Sequence, residues 1–577
     1  MTFISIELAV LLVLSVLYLI YIGFVKYTDK VSLPKNFELY GPLLMYKTKN
    51  GIEYFESLAI KYEKAWDRLG FVGSMVTFSL MLVSSIFIIY SSYIVVTNPP
   101  EETITSPQNY LVIPGVNEFL PLSVAFEILF ALAIGMIIHE GGHAIYCKLG
   151  DIEIDSMGLL FFSIIPFGAF VEPDMEDQEK ANTYDRLKMT SAGIVNNIIL
   201  TIVAVILLLF FGLAISSVGG VAIGGVFDGT PADQAGLQAG DSIVSIQGEE
   251  IGSETEFSQY LMNNSERNVS VTTTDGDEYI IERELIFERI TDNSAVNIHF
   301  STGDDVIQVD GKEMYTTAEL QQYIQSEHTG TTIQFSNEEG SNSVPLGAAT
   351  TIQRESATNA NLSQRDTILI LSVEGERVKS GSEAVTKLTQ ENNSEITYLE
   401  GESGVEQTAT VTDRDSLLVH SGYSGIQFTD MGISAYPVDT FSQLINPIDS
   451  ETSMGQWLLL FFILPFATLV GLQYNFFGIS GLAESFYTTG IETIDPVAFL
   501  LWNVLYWTAW ININLAIFNC IPMPFVDGKY IVEDGLTVIG DKLPVEVSEN
   551  VMHSLAQVIR AATLMGLVAI IVVSLIQ

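Results

Sequence analysis

Long apolar blocks constrain this chain of 577 residues more than any other feature. Two of them are Leu8–Val25 and Phe71–Val96, and further blocks lie near 122–149, 189–215, 456–476, 497–518 and 555–576. An apolar helix of about 20 residues crosses a hydrocarbon core of about 30 Å, so each long block is sufficient to span a bilayer. The sequence therefore predicts a polytopic α-helical membrane protein with about six to seven transmembrane helices.

The distribution of basic residues predicts the orientation of these helices. No basic residue precedes the first block and no small-residue cleavage site follows it, so we expect an uncleaved membrane helix. Lys and Arg are frequent in 26–70 and absent from 97–120. Because basic loops remain in the cytoplasm, 26–70 is predicted to be cytoplasmic, with the N-terminus and 97–120 outside.

The chain is strongly acidic, with a formal net charge of −44 and a pI of about 4.2. Such a charge argues against nucleic acid as a partner. We expect adaptation to high salt, a halophilic trait in which dense carboxylates keep the surface hydrated. A functional acidic surface is the alternative.

A soluble insertion, about 219–436, separates two groups of apolar blocks and contains a repeat. The segment 230–251 recurs at 293–314 and again, more weakly, at 356–378. Each copy predicts a turn, an alternating strand that ends at a Gly hairpin, and a helix. The first copy, PADQAGLQAGDSIVSIQGEEI, resembles a protease-associated PDZ domain, and PDZ domains bind extended peptides by strand addition. The later copies are either peptide-binding modules or spacers without ligands.

His139, Glu140 and His143 form an H-E-x-x-H motif, HEGGH, within the apolar block 122–149. On a helix the two histidines share one face and can bind one ion, and imidazole suits Zn²⁺. Glu140 is placed to take a proton from a zinc-activated water. Ionisable residues inside a membrane usually mark a functional site, which argues against buried structural histidines.

A catalytic zinc needs a third protein ligand, and 518–531, FNCIPMPFVDGKYI, provides a candidate in Asp527. Pro522 and Pro524 interrupt a helix there, which is tolerated at membrane depth only beside protein or a cavity. An ordinary loop that leaves the membrane is the alternative.

HEGGH, NCIPMPFVDG, SAGIVNN (191–197) and an intervening PDZ-like module together resemble the site-2 protease family of intramembrane zinc metalloproteases. The resemblance implies that His139, His143 and Asp527 bind zinc and that Glu140 is the general base. It also implies that Asn197 and Asn519 bind or orient the substrate backbone. Segment 157–173, which Pro166 and Gly168 interrupt, would be a membrane-embedded β-hairpin that pairs with an unwound substrate strand.

We divide the chain accordingly at residues where composition changes. The predicted parts are N-terminal transmembrane helices and cytoplasmic loop (1–96), first half of the catalytic core (97–218), PDZ-like repeats (219–292, 293–350 and 351–418), second half of the core (437–530) and a C-terminal transmembrane helix (531–577). Inward orientation of the 497–527 helix requires a re-entrant or paired half-helix around 456–485, where Pro465, Gly471, Gly478 and Gly481 permit breaks.

The predicted function is zinc-dependent hydrolysis of peptide bonds within or near transmembrane segments of membrane-anchored proteins, as part of regulated intramembrane proteolysis. The partners would be a transmembrane protein substrate, the lipid bilayer of the cell membrane and, at the extracytoplasmic PDZ-like α+β array, peptides. Two alternatives remain. One is a catalytically inert PDZ scaffold, and the other is a membrane zincin with a different third ligand that acts on soluble or misfolded proteins.

Overall fold

A computed structural model describes the residues 6–27, 33–97, 113–115, 117, 120–162, 165–290, 300–337, 340–352, 358, 360, 362, 366–390, 394–400, 405–414, 417–447, 452–465, 475–542, 544 and 548–576. Most of the predicted external loop 97–120 lies outside these residues. So do Gly471, 293–299 of the second repeat and most of 356–365 in the third.

The chain forms two compact units. The first contains 1–216, 441–481 and 489–577, and the second contains 217–440 and 482–488. The second unit therefore corresponds closely to the insertion that the sequence predicts.

The first part of the chain combines long helices with a small sheet. Its helices are α1 (Ile6–Tyr27), α2 (Ile52–Lys61), α3 (Glu63–Thr97), α4 (Ala125–Leu149), α5 (Met175–Lys180) and α6 (Thr183–Gly212), and its strands are β1 (Phe37–Tyr40), β2 (Leu43–Thr48), β3 (Ile154–Phe162) and β4 (Ile165–Pro173).

These four strands form one antiparallel sheet in the order β1-β2-β3-β4. The predicted hairpin of 157–173 is thus the β3–β4 pair, and the predicted cytoplasmic segment extends its sheet through β2. Lys47 Nζ on β2 and Ser156 Oγ on β3 both donate to Glu172 Oε2 on β4, at 2.9 and 2.6 Å. Across the described strands, β4 pairs only with β3, so its other edge is open.

The second unit consists of three modules that share an order of elements: a first strand, a strand with a short return, a helix and a hairpin. Module 1 contains β6 (Val221–Val226), α7 (Pro231–Ala235), β7 (Ser242–Ile246), β8 (Glu249–Glu250), α8 (Glu254–Asn263), β9 (Asn268–Thr273) and β10 (Glu278–Glu282), and it follows β5 (Ser216–Ser217). Module 2 contains β11 (Ile286–Ile290), β12 (Gln308–Val309), β13 (Lys312–Glu313), α9 (Thr317–Gln322), β14 (Thr332–Asn337) and β15 (Gly340–Pro345). Module 3 contains β16 (Ala348–Ile352), β17 (Thr367–Val373), β18 (Glu376–Arg377), α10 (Gly381–Leu388), β19 (Glu395–Glu400) and β20 (Glu406–Thr410).

The helix of each module packs on an apolar core, and the core of module 2 also includes Ala349 and Leu369 of module 3. Phe257 of α8, Leu320 of α9 and Ala384 of α10 are each buried in the core of their own module. The first strands of modules 2 and 3 begin before the predicted starts at 293 and 351. The resemblance of these modules to PDZ domains remains a prediction.

After module 3 the chain forms three short strands, β21 (Leu417–Val419), β22 (Ile426–Thr429) and β23 (Ile433–Ala435), and returns to the first unit through α11 (Val438–Ile445). The remaining elements are α12 (Met454–Ile463), β24 (Tyr487–Thr488), α13 (Asp495–Cys520), α14 (Gly528–Gly540) and α15 (Glu549–Ile576).

Five helical segments within the described residues are long and apolar enough to cross a membrane: Glu63–Thr97, Leu122–Leu149, Thr183–Gly212, Asp495–Cys520 and Asn550–Val573. Ser15–Lys26 and Met454–Ile463 are shorter apolar helical stretches. At 10 residues, α12 rises about 15 Å. Residues 466–474 lie outside the described residues, so the re-entrant or paired half-helix around 456–485 remains a prediction. The total of six to seven spans remains a prediction.

Small residues bring three of the long helices close together. A Cβ on Gly135 of α4 would lie 2.2 Å from Asn512 Oδ1 on α13, and a Cβ on Gly142 would lie 2.9 Å from the Ala192 carbonyl on α6. Helices in membranes associate through such close backbone approach. This packing places the HEGGH helix between α6 and α13.

Candidate metal and catalytic centre

Helix α4 presents the HEGGH side chains on a buried face. His139 and His143 are one turn apart, and their ring centroids are 4.9 Å apart. The metal-ligating atoms of His139, Glu140 and His143 all lie within 4.8 Å of one another. The predicted two histidines and glutamate therefore form one group.

Asp527 reaches this group from a turn that follows α13. The turn contains Phe525, whose φ of 76° is a strained backbone conformation for a residue other than Gly. Gly528 then packs against the end of α13, where a Cβ would lie 2.3 Å from the Ile521 carbonyl oxygen and 2.5 Å from that of Cys520. Only Gly fits this approach, which places the preceding carboxylate beside α4.

The carboxylate of Asp527 lies between the two imidazoles. Its Oδ2 is 3.1 Å from His139 Nε2 and 3.5 Å from His143 Nε2. Within the described part of the chain this buried oxygen has no hydrogen bond of acceptable geometry. Tetrahedral Zn²⁺ with bonds of about 2.0–2.1 Å would separate its ligand atoms by about 3.3 Å, so both of these distances fit such an ion.

His143 is oriented for this role by a backbone carbonyl. Its Nδ1 is 2.8 Å from the carbonyl oxygen of Met189 on α6. A carbonyl can only accept, so Nδ1 carries the proton and neutral Nε2 keeps its lone pair for a metal.

His139 is packed against one turn of α6. A Cβ on Gly193 would lie 2.5 Å from both Cε1 and Nε2 of the ring, so a larger residue would displace the imidazole. Asn197, one turn later and fully buried, places its amide Nδ2 3.3 Å from His139 Nδ1. Its Oδ1 has no hydrogen-bond partner among the described residues. Rotation of the amide by a half turn would let Oδ1 accept from Nδ1–H and leave Nε2 as the metal-ligating atom.

Glu140 faces the hairpin. Its Oε2 accepts a hydrogen bond of 2.8 Å from the Val171 backbone N–H on β4. This N–H belongs to the open edge of β4, since the opposite edge pairs with β3. The predicted general base therefore lies directly beside an unpaired strand edge.

The other predicted residues lie farther along the same elements. Pro166 and Gly168 both belong to β4, and the pairing register shifts there between Leu160 and Phe161 on β3. Asn519, on the last turn of α13, is half-buried, and its side-chain amide has no hydrogen bond to another described residue. The structure thus brings His139, Glu140, His143, Asp527 and Asn197 close together. The roles of these five residues, like those of Pro166, Gly168 and Asn519, remain predictions.

Two contributors were missed by the sequence analysis, the Met189 carbonyl and the Val171 N–H. Both are backbone groups, so side-chain identity gives no signal for either. The contact between Gly193 and His139 could have been inferred, because a Gly one turn before a buried Asn suggests close packing.

Comparison with known proteins gives results that agree with this centre. A profile of peptidase family M50 matches residues 127–564. An uncharacterized protein of Methanocaldococcus jannaschii is 27% identical over 252 residues, which are 43% of this chain and 63% of that protein. Two proteins named "putative zinc metalloprotease" are each 30% identical: one of Clostridium perfringens over 155 residues (22% of this chain, 44% of that protein) and one of Brucella suis over 174 (23% and 45%). The chain therefore aligns with less than two thirds of the length of each relative.

Proposed function

Because the chain belongs to peptidase family M50, the site-2 protease family, we propose that it is an intramembrane zinc endopeptidase that cleaves peptide bonds within or near transmembrane segments of membrane-anchored proteins. The observation that carries this proposal is the convergence of three ligand atoms from α4 and the turn after α13. Asp527 Oδ2 lies 3.1 and 3.5 Å from the two histidine Nε2 atoms.

The chemistry divides between the metal and the chain. A zinc ion held by His139, His143 and Asp527 would supply an activated water and polarise the scissile carbonyl. Glu140 takes a proton from the attacking water and returns it to the leaving amine. The Val171 N–H holds the Glu140 carboxylate at a fixed position on the side of the hairpin.

The open edge of β4 supports an extended substrate. A transmembrane helix hides its peptide bonds in internal hydrogen bonds, so a segment must unwind before attack. An unwound strand that pairs with β4 would satisfy its backbone there and lie next to Glu140. Pro166 and Gly168 would shape that edge, and the unpaired amide of Asn519 would bind the substrate backbone.

The five candidate spans support a multi-pass location in the cell membrane. The basic segment 26–70 and the acidic insertion favour a cytoplasmic β1–β2 hairpin and an extracytoplasmic second unit. The partners proposed for that unit are extracytoplasmic peptides.

Two other functions would require different arrangements of these residues. An inert scaffold would not need a general base beside a set of metal ligands, and here Glu140 and the three ligand atoms are all present. A membrane zincin with another third ligand would not need Asp527, and it would act on soluble or misfolded proteins.

The test compares purified wild type with Glu140→Gln, using a single-pass reporter protein in liposomes and zinc content as the readouts. We expect Glu140→Gln to keep one zinc per chain and to cleave about 10²–10⁴-fold more slowly, since it removes the proton carrier only. Glu127→Gln, on the same helix and away from the metal ligands, is the matched control and should cleave normally.

Asp527→Ala separates the alternatives. Loss of zinc and cleavage together supports the proposed ligand set, whereas retention of both would favour a zincin with another third ligand. Wild type that binds zinc but cleaves only soluble or unfolded proteins would also favour that reading. Wild type that binds no zinc would contradict the proposal and favour the scaffold.

A further inference from the structure

A large cavity in the second unit is bordered by the helices of all three modules. Its volume is about 990 Å³, at the upper end of the range of about 300–1,000 Å³ that is usual for ligand sites. Helix α8 contributes Phe257 and Leu261 to its wall, α9 contributes Leu320, and Ile426 and Ile433 lie on the strand side. Residues of α10 complete the wall, so the three modules share one largely apolar space.

A strand with an unpaired edge, β23, forms part of this wall. Among the described strands, β23 pairs only with β6. Phe227 N–H donates to the Gly432 carbonyl at 2.9 Å, so in the alternating antiparallel pattern the next residue, Ile433, directs its N–H and carbonyl away from β6. Ile433 itself lines the cavity, so an extended chain could add to β23 at this point.

Two carboxylates without partners also line the cavity. Glu254 begins α8 and Glu288 belongs to β11, and neither carboxylate has a hydrogen bond or ion pair with another described residue. Partial burial, with a smaller effect of the Asp439 charge, raises the pKa of Glu254. Burial also raises the pKa of Glu288, an effect that the charge of Arg289 reduces and that of Glu254 increases. A positive charge placed beside the two carboxylates would therefore stabilise their ionised forms.

Two further charged groups of the wall, Lys379 and Glu383, already have partners. Lys379 Nζ donates to the carbonyls of Ile324 and His328, at 2.6 and 2.8 Å. Glu383 Oε2 accepts from the Lys379 backbone N–H at 2.9 Å. The charge of the wall that still lacks a partner among the described residues is therefore negative, and a complementary ligand carries a positive charge.

Asp430 adds an unpaired acceptor to the same wall. Its side chain is fully buried, and Oδ2 forms an ion pair with Arg283 and accepts from the backbone N–H and the hydroxyl of Thr317, at 3.1 and 3.0 Å. The other oxygen, Oδ1, has no hydrogen bond to another described residue. A buried acceptor without a donor costs free energy, so a donor supplied by a ligand would stabilise this wall.

We propose that this cavity binds an extended peptide with a basic side chain, Lys or Arg, which adds to the open edge of β23 and directs its charge to Glu254 and Glu288. The open strand edge and the apolar helices favour a peptide over a bare metal ion, since they match a backbone and apolar side chains. The two unpartnered carboxylates determine the charge. Such a site deepens the proposed function, on which it rests for an extracytoplasmic peptide partner, by adding the place, the binding mode and the charge of that partner.

Fluorescence anisotropy with labelled peptides tests the site on full-length Glu140→Gln in detergent, a variant that should bind peptides without cleaving them. The probes are two short peptides of alternating Thr and Val that differ only at the centre, where one has Arg and the other Glu. The Arg peptide should bind saturably with a Kd of about 100 µM or below, and the Glu peptide at least about tenfold more weakly. Equal affinities, or no saturable binding of the Arg peptide, would overturn the proposal, and Ca²⁺ binding in place of peptide binding would identify a metal ion as the occupant.

Glu288→Gln in the same background locates the binding. It should lower the affinity for the Arg peptide about fivefold and leave that for a third peptide with a central Gln unchanged, because only the attraction between Arg and the carboxylate is lost. Glu278→Gln is the matched control, since it makes the same change of charge on β10, at the opposite edge of the module 1 sheet. An equal loss of affinity in both variants would assign the effect to net charge and would overturn the site.

Backbone N-methylation of the Arg peptide tests the strand addition. Alternate residues of an added strand direct their N–H groups to β23, so methylation of one alternating set should weaken binding at least about tenfold and methylation of the other set less than about threefold. Amide exchange at Ile433 should slow several-fold when the Arg peptide is added. Equal effects of the two sets, or unchanged exchange at Ile433, would overturn strand addition at β23. Reporter cleavage by wild type is measured separately, so failure of this site would leave the protease assignment standing.

Discussion

The two units complete their sheets in different ways. Among the described strands of the first unit, β4 pairs with β3 alone, and its other edge lies beside Glu140 through the Val171 N–H. In the second unit, the first strand of every module pairs with β21, β22 or β23, three strands that follow one another within residues 417–435. An open strand edge is a liability that proteins normally cover, so the edge of β4 beside a candidate metal centre calls for an explanation.

The difference lies in what surrounds each edge. The substrate strand of the proposed function would pair with β4 next to Glu140 and the three candidate metal-ligating atoms. Within the described residues, the group of side chains that could hold a metal ion lies on α4 and not in the second unit. We therefore expect strand pairing with a substrate to matter for cleavage at β4.

The largest expected effect comes from blocking the open edge. Pairing of Met157 with Val171 and of Leu159 with Ala169 is regular, so the Ala169 N–H points to the same open side as that of Val171. Ala169→Pro removes this donor and should slow reporter cleavage about 100-fold or more, because strand addition loses a backbone bond and meets the ring.

Zinc content should be unchanged in Ala169→Pro, since no metal ligand is altered. Ala169→Val keeps the N–H and is the matched control, which should cleave within about threefold of wild type. Equal cleavage by the proline variant would show that the substrate does not pair with β4, and the comparison between the two units would fail.

A second prediction concerns the orientation of His139, one of the three candidate zinc ligands. Asn197→Ala removes the amide that contacts His139 Nδ1 and should weaken zinc affinity about 10–100-fold in chelator competition, as loss of such orienting bonds does in other zinc sites. Asn196→Ala is the control, because its amide donates to the Ile138 carbonyl at 3.0 Å and not to the histidine. Unchanged zinc affinity in Asn197→Ala would indicate that Asn197 does not orient His139. The role of binding or orienting the substrate backbone, which the sequence analysis predicts, would then be favoured.

Sequence patterns predicted the functional residues that lie on one helix or in one turn, but they did not predict which strands pair when the strands are far apart in the sequence. HEGGH lies on one helix, and the turn to Asp527 is marked by Pro522, Pro524 and Gly528, so residue type alone predicted the group that the structure assembles. The pairing of β21, β22 and β23 with the first strands of the modules could not be predicted in this way. These three strands have three or four residues and pair with strands up to about 200 residues away, and neither feature gives a periodic signal.

The hairpin shows an intermediate case. Its apolar residues and the break at Pro166 and Gly168 predicted two strands, and β3 and β4 were found there. The sheet partner β2 was not predicted, because the segment 37–48 carries only a short alternating pattern. The edge that stays open therefore became known only from the structure.

A third prediction tests the pairing of β23 with β6 in module 1. Gly432, between Asp430 and β23, has a φ of 78°, and a Cβ there would lie 2.3 Å from Cβ of the buried Thr230. Gly432→Ala should therefore raise the amide exchange rates of β23 and β6 about tenfold beyond the increase that backbone strain alone causes, since overpacking costs about 1–3 kcal/mol.

Gly248→Ala is the control for Gly432→Ala within module 1. Gly248, in the turn between β7 and β8, has a φ of 79°, but open space lies where its Cβ would be, so it carries the backbone strain without the clash. Equal effects of the two substitutions on exchange in β6 would indicate that the contact between Gly432 and Thr230 is not tight.

The smallest expected effect is a pH dependence of the pairing between β21 and β16 in module 3. His420 follows β21, its N–H donates to the Ala349 carbonyl at 2.8 Å, and its Nε2 lies 2.8 Å from Thr351 Oγ1 on β16. Burial, with a smaller effect of the Arg289 charge, lowers the pKa of His420 from its ordinary value of 6.5. His420 therefore binds a proton less readily when β21 is paired with β16 than when the two strands are apart. The pairing weakens as pH falls below about 6.5 and is at full strength above it.

Between about pH 7.5 and 5.5, the protection factors of β21 and β16 should fall several-fold after correction for intrinsic exchange, by less than about tenfold per pH unit for one proton. His420→Gln, which can still bond to Thr351 but does not titrate, should remove this pH dependence. A fall of equal size in His420→Gln would assign the effect to another group. The pairing of β22 with β11 and of β23 with β6 does not involve His420, so β22 and β23 should keep their protection at the lower pH. One experiment therefore distinguishes the three pairs of strands.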